Sequence, residues 1–133
     1  MAILDAIKAV QDLVGALAGI KSAPDYPQTG IMPIVITHLG NGDITPGNPT
    51  GARTELNQIV VELHVNDSGS LSGAFETLET LHPLIVAALV ADTTLTNTVQ
   101  TYSNLSFATV RSSLDGVNTL SRIYTLNNCK IIA

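Results

Sequence analysis

Residues 55–89, ELNQIVVELHVNDSGSLSGAFETLETLHPLIVAAL, decide the fold of this chain. In the first part of the stretch an apolar residue stands at every second position, which is the period of a strand that buries one face. These apolar residues are Ile59, Val61, Leu63 and Val65. We therefore predict a strand over residues 56–65 that lies inside a sheet, with Ile59, Val61 and Leu63 in the core.

The second part of the stretch predicts a helix. After the turn residues NDSGS, apolar residues recur at spacings of three and four, as they do on one face of a helix. Pro83 falls inside this pattern and cannot donate a backbone hydrogen bond. The sequence thus predicts either a kinked helix or two consecutive helices, with the second beginning at Pro83. The apolar positions are Leu71, Ala74, Phe75, Leu78, Leu81, Leu84, Ile85, Ala88 and Leu89.

The remaining elements complete a single domain. Residues 2–20 follow the helical period and predict an amphipathic helix, while residues 32–39 are apolar and β-branched, as in a strand. Residues 99–110 and 120–132 are two further strand candidates, separated by an Asp-Gly turn signal. We predict one α+β domain over residues 1–133, with a mostly antiparallel sheet of about four strands and two or three helices packed on one face.

A glycine-rich segment, GNGDITPGNPTGA at residues 40–52, separates the first two predicted strands. A connection of this length without regular structure tends to be functional or disordered. Its glycines leave the backbone many conformations, and Ile44 is its chief apolar anchor. We predict a long loop that is mobile in the isolated subunit and becomes ordered against a neighbour. A flexible loop without a partner is the alternative.

Composition narrows the class of protein. Hydrophobic residues make up 45% of the chain and charged residues only 13%, about half the usual charged share. So little charge favours a surface that is partly apolar and covered in an assembly. The alternative is a neutral surface, rich in Thr, Asn and Ser, on a monomer.

The charge distribution argues against tight binding of nucleic acid. The net charge is −5, and no Lys or Arg occurs between Arg53 and Arg111. Clamping phosphates requires clustered basic side chains. An acidic surface could still let DNA slide past without sticking, although ordinary solvated acidic faces would look the same.

The cysteine content and the N-terminal segment argue against disulfides and against a signal peptide. Cys129 is the single cysteine, so no intramolecular disulfide can form, and we expect it to be buried and inert. Asp5, Lys8 and Asp12 interrupt the apolar N-terminal segment, which therefore does not resemble a signal peptide. We expect no membrane-spanning stretch and a protein assembled in the cytoplasm.

The chain offers few candidates for catalysis. Pairing of the two central strands would bring His38 and His64 together, but no further metal ligand follows at a recognisable spacing. The segment SGSLSG lacks a nucleophile-elbow pattern, and GNGD is not followed by the GK[ST] of a phosphate-binding loop. We therefore predict no enzyme activity, no cofactor and no metal, with the histidines, including His82, exposed or locally hydrogen-bonded.

Several weak motifs in a particular order carry a resemblance. They are APDYP followed by an apolar strand, ELNQIVVELHV, a helix ending in LHPLIVAAL, and DTTLTNTV before a final pair of strands. This order, over residues 23–132, resembles the tail terminator (tail completion) proteins of long-tailed bacteriophages.

The resemblance implies a structural protein of the virion. It would form a homo-oligomeric, six-fold ring at the end of the tail tube, stop tail polymerisation and join the tail to the head connector. Its partners would be the tail tube protein and a head-completion or connector protein, with DNA passing through the lumen without specific binding. The alternatives are another head–tail joining or tail tube protein, or a small-molecule binding module with its pocket between helices and sheet. We expect the subunit or ring interface to include Asn41, Gly42, Asp43, Ile44, Glu62 and His64.

Overall fold

A computed structural model describes residues 3–24, 32–46, 53–66, 71–96, 98–100, 102–114 and 116–130 of the chain. Two helices and four strands make up these segments. In chain order they are α1 (Ile3–Gly15), β1 (Ile34–Pro46), β2 (Arg53–Asn66), α2 (Leu71–Ala91), β3 (Asn104–Leu114) and β4 (Val117–Cys129).

The four strands form one antiparallel sheet in the order β1-β2-β4-β3. The predicted α+β class is confirmed, with two helices. β2 lies inside the sheet between β1 and β4, as predicted. Ile59, Val61 and Leu63 are each fully buried, so the predicted register of β2 is confirmed.

The core lies between one face of the sheet and the two helices. Val61 is paired with Thr37 on β1 and with Tyr124 on β4, so these three side chains point to the same face. Ile59 and Leu126 form the next such pair, and both are buried. The buried side of α2 covers this face with Ala74, Leu78, Leu81, Ile85 and Leu89.

α2 is a single helix that runs through Pro83, so the alternative of two consecutive helices is wrong. Pro83 lies on the exposed side of α2, where water can satisfy the carbonyl that loses its backbone donor. The buried positions continue across the proline, with Leu81 before it and Ile85 after it. Packing against the sheet therefore outweighs the local preference of proline to end a helix.

By length and composition alone, α2 would suffice to cross a membrane, with 21 residues. The sequence led us to expect no such stretch. A core helix of a soluble protein meets the same criteria, and α2 has one face packed against the sheet. Its opposite side carries the exposed Glu76 and Thr80.

α1 packs on β1 and α2, as expected for an amphipathic helix that covers its own sheet. Gln11 on its buried side is only 2% exposed. Its amide nitrogen donates to the carbonyl oxygens of Pro24, at 2.8 Å, and Val35, at 2.9 Å. Its amide oxygen accepts from the hydroxyl of Thr37. These bonds satisfy a polar side chain that would otherwise be costly to bury.

The predicted loop over residues 40–52 is wrong for its first half, because β1 continues to Pro46 and pairs with β2 as far as Arg53. The register shifts between Leu39 and Gly42, which marks a β-bulge. A Cβ atom on Gly42 would lie 3.0 Å from both the Asn57 side chain and the Leu56 carbonyl oxygen. Glycine therefore permits a close strand approach at this position. Residues 47–52 lie outside the described part of the chain.

The second hairpin differs from its prediction at the start of β3. The sequence predicts a strand from residue 99, but β3 begins at Asn104. Val99 is instead buried in the core after a turn whose Leu95 is also fully buried. The Asp-Gly turn is supported, because Gly116 has a φ of +81° directly before β4.

Candidate functional site

A chain of polar side chains crosses the sheet on the face that points away from the helices. Each strand contributes, because residues paired across an antiparallel sheet share a face. His64 is paired with Ser121, and Ser121 with Val110 on β3, whereas their neighbours Leu63 and Leu120 point to the core. We call this group the polar chain. It comprises His38, Glu62, His64, Thr119, Ser112 and Ser121.

Glu62 lies between two histidines at one end of the polar chain. Its carboxylate oxygens are 2.5 Å from Nε2 of His38 and 2.9 Å from Nε2 of His64. The hydrogen bond from His64 is the main cause that lowers the pKa of Glu62, and partial burial opposes this shift. Glu62 is therefore an ionised acceptor at neutral pH.

His64 continues the polar chain toward the edge strand β3. Its Nδ1 atom lies 3.0 Å from the hydroxyl of Thr119, and Ser112 lies 3.0 Å from the hydroxyls of both Thr119 and Ser121. Ser121 donates to the carbonyl oxygen of Val110, at 3.2 Å. His64 is 3% exposed, and Thr119 and Ser121 are fully buried.

Thr119, His64 and Glu62 have the functional groups of a nucleophile, a base and an orienting carboxylate, in that order. Thr119 is fully buried, however, so its hydroxyl has no access to a substrate. Within the described ranges, no group of three or more His, Cys, Asp or Glu side chains is placed to hold a metal ion. The arrangement links strands, and its geometry supplies no reaction centre.

A second cluster lies on the helix side of the sheet, beside the edge strand β3. Nδ1 of His82 on α2 is 2.7 Å from the hydroxyl of Tyr124, and its ring centroid is 4.6 Å from that of Phe107. Burial and the nearby Arg122 lower the pKa of His82. The guanidinium of Arg122 bonds the carboxylate of Glu79, tying α2 to the sheet. Phe107 leaves 56% of its surface exposed at the rim of this cluster.

The residues predicted for a subunit interface fall in two places. Asn41, Gly42, Asp43 and Ile44 lie on the exposed outer half of β1, whereas Glu62 and His64 belong to the polar chain. Ile44 pairs with Glu55 on β2. Glu55 precedes Glu62 by seven residues, so the two lie about 23 Å apart along the strand. The six residues therefore do not form one patch.

A small polar cavity of about 120 Å³ adjoins this outer half of β1. The side chain of Gln58 crosses it, because its amide accepts from the backbone N–H of Asn41 and donates to Asn127. The cavity is therefore closed partly by hydrogen bonds within the chain. Its lining includes Asn41, Gly42, Asp43, Asn57, Asn127 and Asn128.

Sequence reasoning missed the exposure of β3. Most residues of this strand are exposed, and Phe107 and Val110 place apolar side chains on opposite faces of it. The sequence held one signal of this exposure. Edge strands usually carry charged side chains or proline, which prevent pairing with another chain. Residues 104–114 contain a single charge, Arg111, and no proline.

The space between helices and sheet is filled by core side chains, which include Leu63, Leu78 and Leu126. A groove of about 450 Å³ lies instead at the surface, between the segment after α1 and the first half of α2. It is lined by Ala18, Gly19, Gly73, Glu76, Thr77, Thr80, Leu81 and Leu84.

No protein-family model matches this chain, and no curated protein matches it.

Proposed function

We propose that this chain is a structural protein of a phage virion that forms a ring at the end of the tail tube. In this role it stops tail polymerisation and joins the tail to the head connector. The order of motifs from APDYP to the final strand pair supports the family. The observation that best supports assembly into a ring is that both edges of the sheet are open.

The two edges of the sheet are β1 and β3. Within the described residues, no strand pairs with the outer side of β3, and only Ser22 bridges to β1, at Ile34. Both edges carry exposed apolar side chains, Ile44 at 60% on β1 and Phe107 at 56% on β3. Open edges of this kind pair readily with another chain.

The strand directions favour a closed assembly of identical copies. Neighbouring strands alternate in direction across the order β1-β2-β4-β3, so β1 and β3 run opposite to each other. When rotation about a ring axis brings β3 of one copy beside β1 of the next, the new pair is again antiparallel. Head-to-tail contacts of this type generate rings when the rotation closes.

The charge distribution suits a channel for DNA. The stretch between Arg53 and Arg111 has acidic residues but no Lys or Arg. A ring of such subunits would repel phosphates and let DNA pass without specific binding. The tail tube protein and a head-completion or connector protein are the partners of this proposal, and the head–tail junction of the virion is its location. Another head–tail joining or tail tube role uses the same ring.

A substitution on the edge strand tests this proposal. Ala108 is exposed on β3, and a lysine there places a charge on the strand that would meet β1 of the next copy. Ala108→Lys should reduce a ring of several chain masses to a monomer, measured by light scattering after gel filtration. Ala87→Lys, on the exposed side of α2, is the matched control and should leave the ring intact.

Negative-stain electron microscopy and complementation of a tail-assembly defect complete the test. Rings for the wild type and tails of normal length in complementation are the expected results. A wild-type protein that stays monomeric, at concentrations and salt conditions that support tail assembly, would contradict the proposal. It would favour the small-molecule binding module instead.

A further inference from the structure

We propose that His64 is held as an imidazolium and that its second proton orders the polar chain, which makes the attachment of the edge strand β3 sensitive to pH. The proposal concerns the interior of one subunit and does not depend on the ring. It rests on a count of the hydrogens that the observed contacts require.

The polar chain contains five contacts in series from Glu62 to the carbonyl oxygen of Val110. Each contact needs one hydrogen between its two atoms, because two oxygens at hydrogen-bond distance otherwise direct lone pairs at each other. The hydroxyls of Thr119, Ser112 and Ser121 supply one hydrogen each. A neutral His64 supplies one more, so one of the five contacts would have no hydrogen.

A doubly protonated His64 completes the count. Its Nε2–H donates to Glu62 and its Nδ1–H donates to the hydroxyl of Thr119. Thr119 then donates to Ser112, Ser112 to Ser121, and Ser121 to the carbonyl oxygen of Val110. Each hydroxyl donates once and accepts once, and the contact with Glu62 becomes charge-assisted. Water does not supply hydrogens to the hydroxyls of Thr119 and Ser121, because both residues are fully buried.

The extra proton could reside on either member of the Glu62–His64 pair, since a protonated carboxyl group would give the same count. Glu62 has a second imidazole at its other oxygen, Nε2 of His38, and an ionised carboxylate can accept from both rings at once. The lowered pKa of Glu62 agrees with this placement. The proton therefore belongs to the imidazole.

The surroundings of His64 leave few other groups that could set its charge. Among the described residues, the titratable group in contact with it is Glu62, and His38 on β1 acts through that carboxylate. The side chains of β3 and β4 that reach the polar chain are hydroxyls. The basic residues of these strands, Arg111 and Arg122, are paired with Leu120 and Leu63 and lie on the helix side.

Loss of the proton has a defined structural consequence. With a neutral His64 that still donates to Glu62, Thr119 must turn its hydrogen toward Nδ1. Ser112 and Ser121 then supply two hydrogens for the three remaining contacts, all of which join β4 to β3. One link between β4 and β3 is therefore lost, on the strand whose outer side is open. Removing this proton at higher pH should therefore loosen β3 before the rest of the sheet.

Nitrogen NMR of the full-length chain tests the protonation state. The three histidines are assigned by elimination with His38→Gln and His82→Gln, both of which alter partly exposed side chains. At pH 7 both ring nitrogens of His64 should resonate as protonated. Thr119→Val should shift Nδ1 to the position of an unprotonated nitrogen, whereas Thr119→Ser should keep the wild-type signature. An unprotonated ring nitrogen on His64 in the wild type would overturn the proposal.

Hydrogen exchange tests the link to β3 and does not depend on the folding of Thr119→Val. The hydrogen-bonded amides around Val110 should lose protection, relative to those of β2, when the pH is raised and His64 loses its second proton. Ser112→Ala should abolish this step. Ser106→Ala, an exposed hydroxyl on the same face of β3, should retain it. An identical step in wild type and Ser112→Ala, or its absence from both, would also overturn the proposal.

Discussion

Buried polar side chains in this domain are each matched by a specific partner. Arg122 is only 6% exposed, and its guanidinium donates to Thr109 as well as to Glu79. Among the described residues, every fully buried side-chain nitrogen or oxygen has a hydrogen-bond partner. Unpaired groups of this kind would cost about 1–3 kcal/mol each. The polar chain is thus part of what defines a single register for the sheet.

Truncation of Leu63 tests the core at the residue scale. Leu63 is fully buried on the central strand, so Leu63→Ala should lower the free energy of unfolding by roughly 2–5 kcal/mol. Leu84→Ala is the control, because Leu84 is 41% exposed on α2 and should lose far less. Urea denaturation measures both variants. Equal losses for the two would contradict the assignment of Leu63 to the core.

Glu62 should make the stability of the protein depend on pH. In the unfolded chain its carboxyl titrates near the ordinary pKa of 4.5, and the folded pKa is lower. Its contribution is therefore present above pH 4.5 and is lost as the pH falls through the folded pKa. Glu62→Gln should destabilise the protein at pH 7 by about 1 kcal/mol, because partial exposure screens the charge.

The measurement for Glu62 is urea denaturation from pH 7 to pH 3. The difference between wild type and Glu62→Gln should shrink at the acidic end. Glu76→Gln, an exposed change on α2, should show no such convergence. A constant difference across the range would mean that the carboxylate is not stabilised by its histidine partners.

At the scale of elements, the first hairpin shows how pairing overrides local composition. Glycine-rich sequence normally indicates a loop, yet β1 pairs with β2 as far as Pro46 and Arg53. The second half of β1 gains backbone partners along residues 53–57 of β2. The bulge after Leu39 changes the register at the point where the glycines begin.

Two deletions test how much the paired outer part of this hairpin contributes to stability. Pro46 and Arg53 are register partners, so replacing residues 47–52 with Asn-Gly should give a two-residue turn and a folded protein. Deleting residues 41–51 removes most of the second half of β1 and leaves the facing backbone of β2 unpaired. The second variant should therefore unfold at a lower temperature, measured by circular dichroism. Equal melting temperatures would show that the outer hairpin contributes no stability.

At the scale of the whole molecule, the net charge and the exposed edge strands support the same proposal. The chain has a net charge of −5, and its exposed apolar side chains include those on the two edge strands. Repulsion from nucleic acid and attraction between apolar edges are both compatible with the proposed ring.

The charge predicts the response to duplex DNA. At physiological salt we expect no binding in fluorescence anisotropy, because tight phosphate binding needs several basic contacts. A basic DNA-binding domain of similar size serves as the positive control. Affinity that rises steeply as salt is lowered would indicate a cationic surface that the described residues do not present.

The elements whose side chains repeat with a period could be predicted from the amino-acid sequence. Alternation at Ile59, Val61 and Leu63 defined β2, and the spacing of three and four defined α2, because burial of one face imposes these periods. The Asp-Gly signal likewise located the turn before β4. These features depend on neighbours that are close in the chain.

The extent of β1, the open edge at β3 and the polar chain depend on contacts between distant parts of the chain. The contact of His64 with Thr119 joins residues that are 55 positions apart. Such a contact exists only once β2 and β4 pair in one register, and a shift of β2 by one residue would turn His64 to the other face, away from Thr119. Pairing between distant strands carries no local period, and for this reason the chain alone could not reveal it.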